Sequence, residues 1–312
     1  MKFINMSYIC ALQIWIDMNV FYKKKMKRGW GALATSLWIL TICLFCSCQR
    51  GGNGGKGNLQ FDSLQVNVTE HLFGDTANPA CNLVMNYAYV KSADQEQMMD
   101  SLNALLQAAA LGDRYELMKP TEAVERYVAN YTANYRKDLE PYLKREKEEL
   151  AASGDGTIGA WYSYYRKVES RPQFYQGNLL VYAIRCDEYT GGAHGMYTTN
   201  YLNIDLRTLT PLNLEHLFVP GFSEPLSDLL WAQLMADNHV KTREELEELG
   251  YASTGELVPT DNFYLTNEGI TFHYNVYDIA PYVMGAIDIA LPFEMMDHLL
   301  DRNSEIVNDL RY

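Results

Sequence analysis

Apolar and polar positions partly alternate over Phe61–Val68, and a second apolar-rich run covers Cys81–Val90; both patterns predict β-strands. From Asp94 the period changes. Met98, Met99, Leu102, Leu105, Leu106 and Ala109 recur at helical spacing and stop near Gly112, which predicts an amphipathic helix. Val124, Tyr127, Val128, Tyr131 and Tyr135 do the same after Pro120. Pro141 is expected to break or kink this second helix before the charged run 144–150. Ser153-Gly154-Asp155-Gly156 reads as a loop, and Ala160–Val168 and Asn178–Tyr189 read as strands. The tyrosine stripe of this region is read as a packing surface rather than a glycan platform, because Tyr favours half-buried strand positions.

The second half repeats the mixture. Tyr197–Leu206 predicts a strand, and Thr208–Leu214 a turn. Ser223 is expected to cap a helix with Pro225 in its first turn and Leu226, Leu229, Leu230 and Leu234 on its apolar side. Thr242 to Glu245 forms a capping box for another helix, with Gly250 as its C′ residue. Asn262–Thr266, Ile270–Val276 and Val283–Leu291 predict strands, the first two joined by the turn Asn267-Glu268-Gly269, and Pro292–Leu300 a closing helix. Strands and helices come in clusters without βαβ alternation. The expected fold class is therefore α+β: two consecutive domains, 59–178 and 179–312, with antiparallel sheets and helices packed on a face.

Composition narrows the function. With 312 residues, 48% hydrophobic and 21% charged, the chain is an ordered globular protein and not a disordered one. Its formal charge of −13, from 26 basic against 39 acidic residues, excludes nonspecific nucleic-acid binding, which needs a basic footprint. Six cysteines are too few for a disulfide scaffold.

The N-terminus reads as an address. Lys23, Lys24, Lys25, Lys27 and Arg28 precede a stretch, Trp30–Cys46, without a charged residue. A basic region followed by an apolar run is a secretory signal pattern. The run ends Leu44-Phe45-Cys46-Ser47-Cys48, which resembles a bacterial lipobox; Cys48 fits as the lipidated residue because Ser47 precedes it, whereas bulky Phe45 precedes Cys46. Met26 is a conventional start, so translation is expected to begin there, with residues 1–25 a gene-start artefact. Residues 1–47 are thus leader and signal peptide. They hold six basic residues and one acidic one, which leaves 20 basic against 38 acidic and a formal charge of −18 for residues 48–312. Residues 48–58, rich in glycine, are expected to be a flexible tether reaching about 15–20 Å.

Candidate chemistry is sparse. Gly191-Gly192-Ala193-His194-Gly195 fits a tight turn that needs positive φ. His194 could act as a base, with Asp187 or Glu188 orienting it, but no nucleophile with motif spacing accompanies it. The six histidines form no HxH or HxxxH pair, so neither a metal nor another cofactor is expected. Cys81 and Cys186, both in predicted strands, are candidates for a disulfide, open at this point. Ala280-Pro281-Tyr282 interrupts two strands. Pro281 marks a loop or bulge, and Tyr282 is a typical interface anchor. Gly191, Gly192, His194, Pro281 and Tyr282 form the candidate binding surface.

Four segments in one order carry a family resemblance: Tyr189–His194, Asn203–Leu206 leading to Leu212–Phe218, Asp261–Tyr274, and Tyr277–Tyr282 running to Pro292. Together they resemble the RsiV-like C-terminal domain of unknown function, found in a lysozyme-sensing anti-sigma factor and in many bacterial lipoproteins. The preceding unit resembles, more loosely, its PdaC-like partner domain, which also precedes a peptidoglycan deacetylase. The resemblance implies an α+β tandem acting outside the cytoplasm, and in the sensor a protein–protein complex. Here a lipobox stands where the sensor has a sigma-binding segment and a membrane span, so anti-sigma activity is not carried over; nor is deacetylation, whose catalytic domain is lacking. The expected protein is a non-catalytic binding module of the cell envelope, held to the membrane by lipid on Cys48. Its ligand is a lysozyme-like protein or peptidoglycan glycan. A cell-wall hydrolase or deacetylase using His194 is the alternative. The residues after Cys48 lack an acidic export run, which favours the periplasmic side over the cell surface.

Overall fold

The computed structural model describes residues 58–311. It has two sheets. The larger holds β1 (Gln60–His71), β2 (Ala80–Ser92), β3 (Tyr164–Gln176), β4 (Leu179–Tyr189), β5 (Met196–Asp205) and β6 (Thr210–Pro211), in that spatial order. The smaller is the meander β7 (Phe263–Leu265), β8 (Gly269–Tyr274) and β9 (Ile287–Pro292). The helices are α1 (Glu96–Leu111), α2 (Pro120–Ser153), α3 (Ser223–Asp237), α4 (Arg243–Glu248), α5 (Phe293–Met296) and α6 (Glu305–Arg311). The class is α+β with mostly antiparallel pairing. The position 178/179 lies at the Gly177-Asn178 turn between β3 and β4, strands of one continuous sheet.

Alternation decides which face each strand residue serves. On one face Leu83, Met85, Tyr87 and Val168 pack against Val124 and Tyr127 of α2. Beside them Val90, Leu180, Tyr182 and Ile204 pack against Leu102 and Leu106 of α1. At about 1.5–3 kcal/mol per fully buried large apolar side chain, this seam holds both helices to the sheet. Among the described residues the other face is covered only towards one end, where Leu179, Val181 and Phe174 meet Phe263, Phe272, Leu226 and Leu230 of the smaller sheet and α3. Tyr127, Tyr135 and Tyr162 are buried, as a packing stripe should be, whereas Tyr165 is exposed on the uncovered face.

Several expectations need correction. β2 and β3 pair in parallel, because the connection between them carries α1 and α2 across one face of the sheet. α2 runs unbroken through Pro141. That residue faces solvent between the buried Leu139 and Leu143, so water can serve the carbonyl that loses its helical partner. Ser223 does not cap α3; Phe222 holds that position, and no side chain caps it. Val283 lies in a 3-10 turn, Tyr282–Met284, and β9 starts only at Ile287. The closing helix is the short α5, followed by α6, which the pattern missed. Thr242 does cap α4: its Oγ1 accepts from the Glu245 N–H at 3.2 Å, and Gly250 follows with φ of 103°. The Asn267–Gly269 turn also forms, closed by the Thr266 N–H donating to Gly269 O at 3.0 Å.

The two sheets are joined by side-chain amides that take the place of a strand. Asn203 on β5 is buried. Its Nδ2 donates to Phe263 O at 2.7 Å, and its Oδ1 accepts from Leu265 N at 3.1 Å. Asn262 reciprocates from just before β7: Nδ2 donates to Thr199 O at 2.9 Å, and Oδ1 accepts from Tyr201 N at 2.9 Å. Replacing Asn203 by Ala leaves two buried backbone groups unpaired, at about 1–3 kcal/mol each. Asn203→Ala is therefore expected to lower the urea midpoint sharply with little change in slope; an unchanged midpoint would show that the clamp carries no stability.

Candidate functional site

The β4–β5 connection is a tight turn whose shape depends on glycine. Gly191 and Gly192 have φ of 91° and 106°. A Cβ on Gly191 would also lie 3.2 Å from Trp161 O, so the turn sits directly on the backbone before β3. The Tyr189 hydroxyl donates to Gly192 O at 2.8 Å and closes the loop. His194 is thereby held out into solvent.

A second loop comes from the smaller sheet. After β8, the Asn275 N–H donates to Asp278 Oδ2 at 2.7 Å, and the Asp278 N–H donates back to Asn275 O at 3.0 Å. This knot forces Tyr277 to φ of 70°, a strained conformation for a non-glycine residue. Pro281 then opens the 3-10 turn that carries Tyr282 and leaves Val283 90% exposed at its tip. Asn275 Oδ1 accepts from Thr199 N of β5 at 2.6 Å and fixes the loop's position on the larger sheet.

The two candidate segments, far apart in sequence, meet. The His194 ring stacks on Tyr282 with centroids 4.5 Å apart. Tyr277 lies 5.6 Å from Tyr282, and Tyr197 at the start of β5 meets it edge-on at 6.0 Å. Tyr197 is itself covered by the Arg185 guanidinium at 4.8 Å. Gly191, Gly192 and Pro281 shape the two backbones. The sequence reading did not single out Tyr197 and Tyr277 as site residues; in a chain with 23 tyrosines, nothing in the local pattern marks those two.

The chemistry of His194 is limited by its partners. Its Nδ1 faces Gly195 O at 2.9 Å, and a carbonyl only accepts, so Nδ1 carries the proton. Nε2 then accepts from the Tyr277 hydroxyl at 3.2 Å. Neither expected carboxylate orients the ring. Asp187 pairs with Arg185 at 2.6 Å, and Glu188 with Arg166 at 2.7 Å. Among the described residues no three of His, Cys, Asp and Glu converge as a metal site. A surface cavity of about 490 Å³ lies elsewhere, between Phe73, Asn78, Lys144 and Lys147, and mixes charges of both signs.

The other candidates separate. Cys48 lies outside the described residues. Cys81 and Cys186 are both free. In the sheet register Met85, not Cys81, is level with Val168 and Cys186. Cys81 is thus four residues along and two strands away, about 13 Å by about 10 Å, too far for a bridge that needs Cα atoms within roughly 7 Å. Burial, with the Glu70 carboxylate adding to it, pushes the Cys81 thiol up to about 12. Burial also raises the Cys186 thiol, against the pull of Arg166.

Fold and site together define an α+β protein with two amide-clamped sheets and an exposed aromatic corner between them. No helix among the described residues is long and apolar enough to cross a membrane. Residues 215–294 match the family described as "Protein of unknown function (DUF3298)". The crystal structure of a DUF3298 family member from Bacteroides fragilis NCTC 9343 is 51% identical to the chain, with a TM-score of 0.78, and the match covers 82% of this chain and 98% of that one. The chain belongs to the DUF3298 family. A DUF3298 family protein from Pseudomonas aeruginosa PAO1 shares the fold at 17% identity and a TM-score of 0.51, covering 79% of this chain and 96% of its own. No curated protein matches the chain.

Thiol chemistry tests the register directly. Only the thiolate reacts, so at pH 8 the native protein should leave Cys81 unalkylated, while denaturation without reductant should expose both Cys81 and Cys186 to full alkylation. Peptide mapping reads each site separately; a Cys81–Cys186 cross-linked peptide would contradict the structure.

Proposed function

We propose that this chain is a lipid-anchored binding protein of the cell envelope, held by acylation of Cys48, with no chemistry of its own. Its ligand is a protein of the lysozyme type or cell-wall glycan, docking on the aromatic corner. The observation that carries the reading is the stacking of His194 on Tyr282 at 4.5 Å, which joins the glycine turn to the Pro281 loop in one exposed surface. Aromatic side chains held rigid before binding lose little entropy on contact and are the usual anchors of an interface. The resemblance to RsiV-like domains, one of which captures lysozyme as a protein, supports the same reading. The signal-like run, the Cys48 lipobox and the glycine tether support a membrane-held position on the periplasmic side. The formal charge of −18 after Cys48 favours encounter with a cationic partner.

A cell-wall hydrolase or deacetylase built on His194 has less support. Both of its ring nitrogens are already engaged, and the two neighbouring carboxylates are committed to arginines. The test is capture of lysozyme and of purified sacculi at two salt concentrations. Tyr282→Ala is expected to weaken capture about tenfold, the loss of one anchor. Protein capture should also fall as salt screens the charge. His194→Ala should leave peptidoglycan fragments as inert as the wild type does; turnover abolished by that change would favour the enzyme instead.

A further inference from the structure

The larger sheet has one face that α1 and α2 cover and another that the smaller sheet and α3 cover only from Tyr201 towards Leu179. The rest of that second face is open among the described residues. The pairing register places its side chains in three rows. One row reads Thr69, Asn82, Tyr165, Tyr189. The next reads Asn67, Val84, Lys167, Asp187, Tyr197, and the third Gln65, Asn86, Glu169, Arg185, Thr199. At strand spacing this patch spans about 19 Å across the strands and about 14 Å along them. Its fifth strand ends under Tyr282, so it runs without a break into the aromatic corner.

Two features of this face stand out. Asn is a poor strand former, yet three asparagines stand together on β1 and β2. Asn82 accepts from the Thr69 hydroxyl at 2.8 Å, but the side chains of Asn67, Asn86 and Gln65 bond to no described residue. A local rule broken without compensation marks a functional surface. The charges are also unusual. Lys167 pairs with Glu169 at 2.9 Å, and Arg185 with Asp187 at 2.6 Å, so the patch is neutral on a domain of formal charge −18.

We propose that this face binds a linear, essentially uncharged glycan laid across the strands. The inference rests on the binding-protein reading and narrows its ligand from protein or glycan to glycan. Amide side chains donate to and accept from sugar hydroxyl and acetamido groups. The Tyr165 and Tyr189 rings offer apolar faces to the C–H side of a pyranose, and self-neutralised charges neither attract nor repel an uncharged polymer. A cationic protein would find its electrostatic complement elsewhere on this acidic domain.

The test uses the full chain in a polyoxyethylene detergent, which carries no sugar. The probes are chitohexaose and chitotetraose, both uncharged, and lysozyme. Both glycans should bind with less than about a twofold change between about 0.05 and 0.5 M salt. The double variant Asn67→Ala/Asn86→Ala and the single variant Tyr165→Ala should each weaken them about tenfold or more. Tyr142→Ala, an exposed tyrosine on α2, should not. A matching thermal midpoint for each variant shows that it is folded. Absence of glycan binding, or binding that the folded variants leave unchanged, overturns the inference. If lysozyme is captured and Tyr282→Ala releases it while glycans do not bind, this inference falls and the proposed function stands. If none of the probes binds, both fall.

Discussion

A primary amide has the same donor and acceptor as a peptide group, and this fold uses that equivalence at several places where a strand runs out of partners. Asn103 of α1 does so for β2 beyond the end of its pairing with β3: Oδ1 accepts from Val90 N and Nδ2 donates to Val90 O, both at 2.9 Å. Asn203 and Asn262 do it between the sheets, each serving the other's strand. Gln107 does a related task, donating to the carbonyls of Tyr115, Glu116 and Met118 and pinning the turn before α2. Buried backbone groups must be paired somewhere. Here side chains do it where geometry denies the ladder.

The position of the aromatic corner follows from that clamp. Asn262 and Asn275 hold the outer edge of β5 from Thr199 to Tyr201, so the loop after β8 cannot drift from the turn before β5. The strained Tyr277 and the glycine turn at 191–192 are the two local distortions that aim rings at each other across this fixed gap. The hydrogen bonds of Asn262 and Asn275 beneath the corner hold its rings in one arrangement.

Much of this was legible in the residues. Alternation and helical spacing located most strands and the main helices, and glycine and proline chemistry picked the turn at 191–195 and the loop at 281–282 as one surface. What stayed hidden depends on neighbours that are distant in sequence. Pro141 reads as a breaker until its solvent exposure is known. The parallel pairing of β2 with β3 needs the path of two helices. Asp187 and Glu188 lie near His194 in sequence, but alternation sends them to opposite faces, each to its own arginine. Cys81 and Cys186 share one sheet, and only the register shows that they cannot meet. The asparagines of β1 and β2 read as ordinary polar positions of half-buried strands; their alignment with Tyr165 and Tyr189 of β3 and β4 exists only once the sheet is assembled.

The clamp is the central claim, and amide hydrogen exchange measures it directly. If the Asn203 and Asn262 side chains truly replace a neighbouring strand, the Leu265 and Tyr201 N–H groups should exchange as slowly as the buried amides of β4 around Val181 and Tyr182. Exchange of those two groups at the rate of the exposed 191–195 turn would show that the sheets are not joined in this way, and that the aromatic corner has no fixed frame.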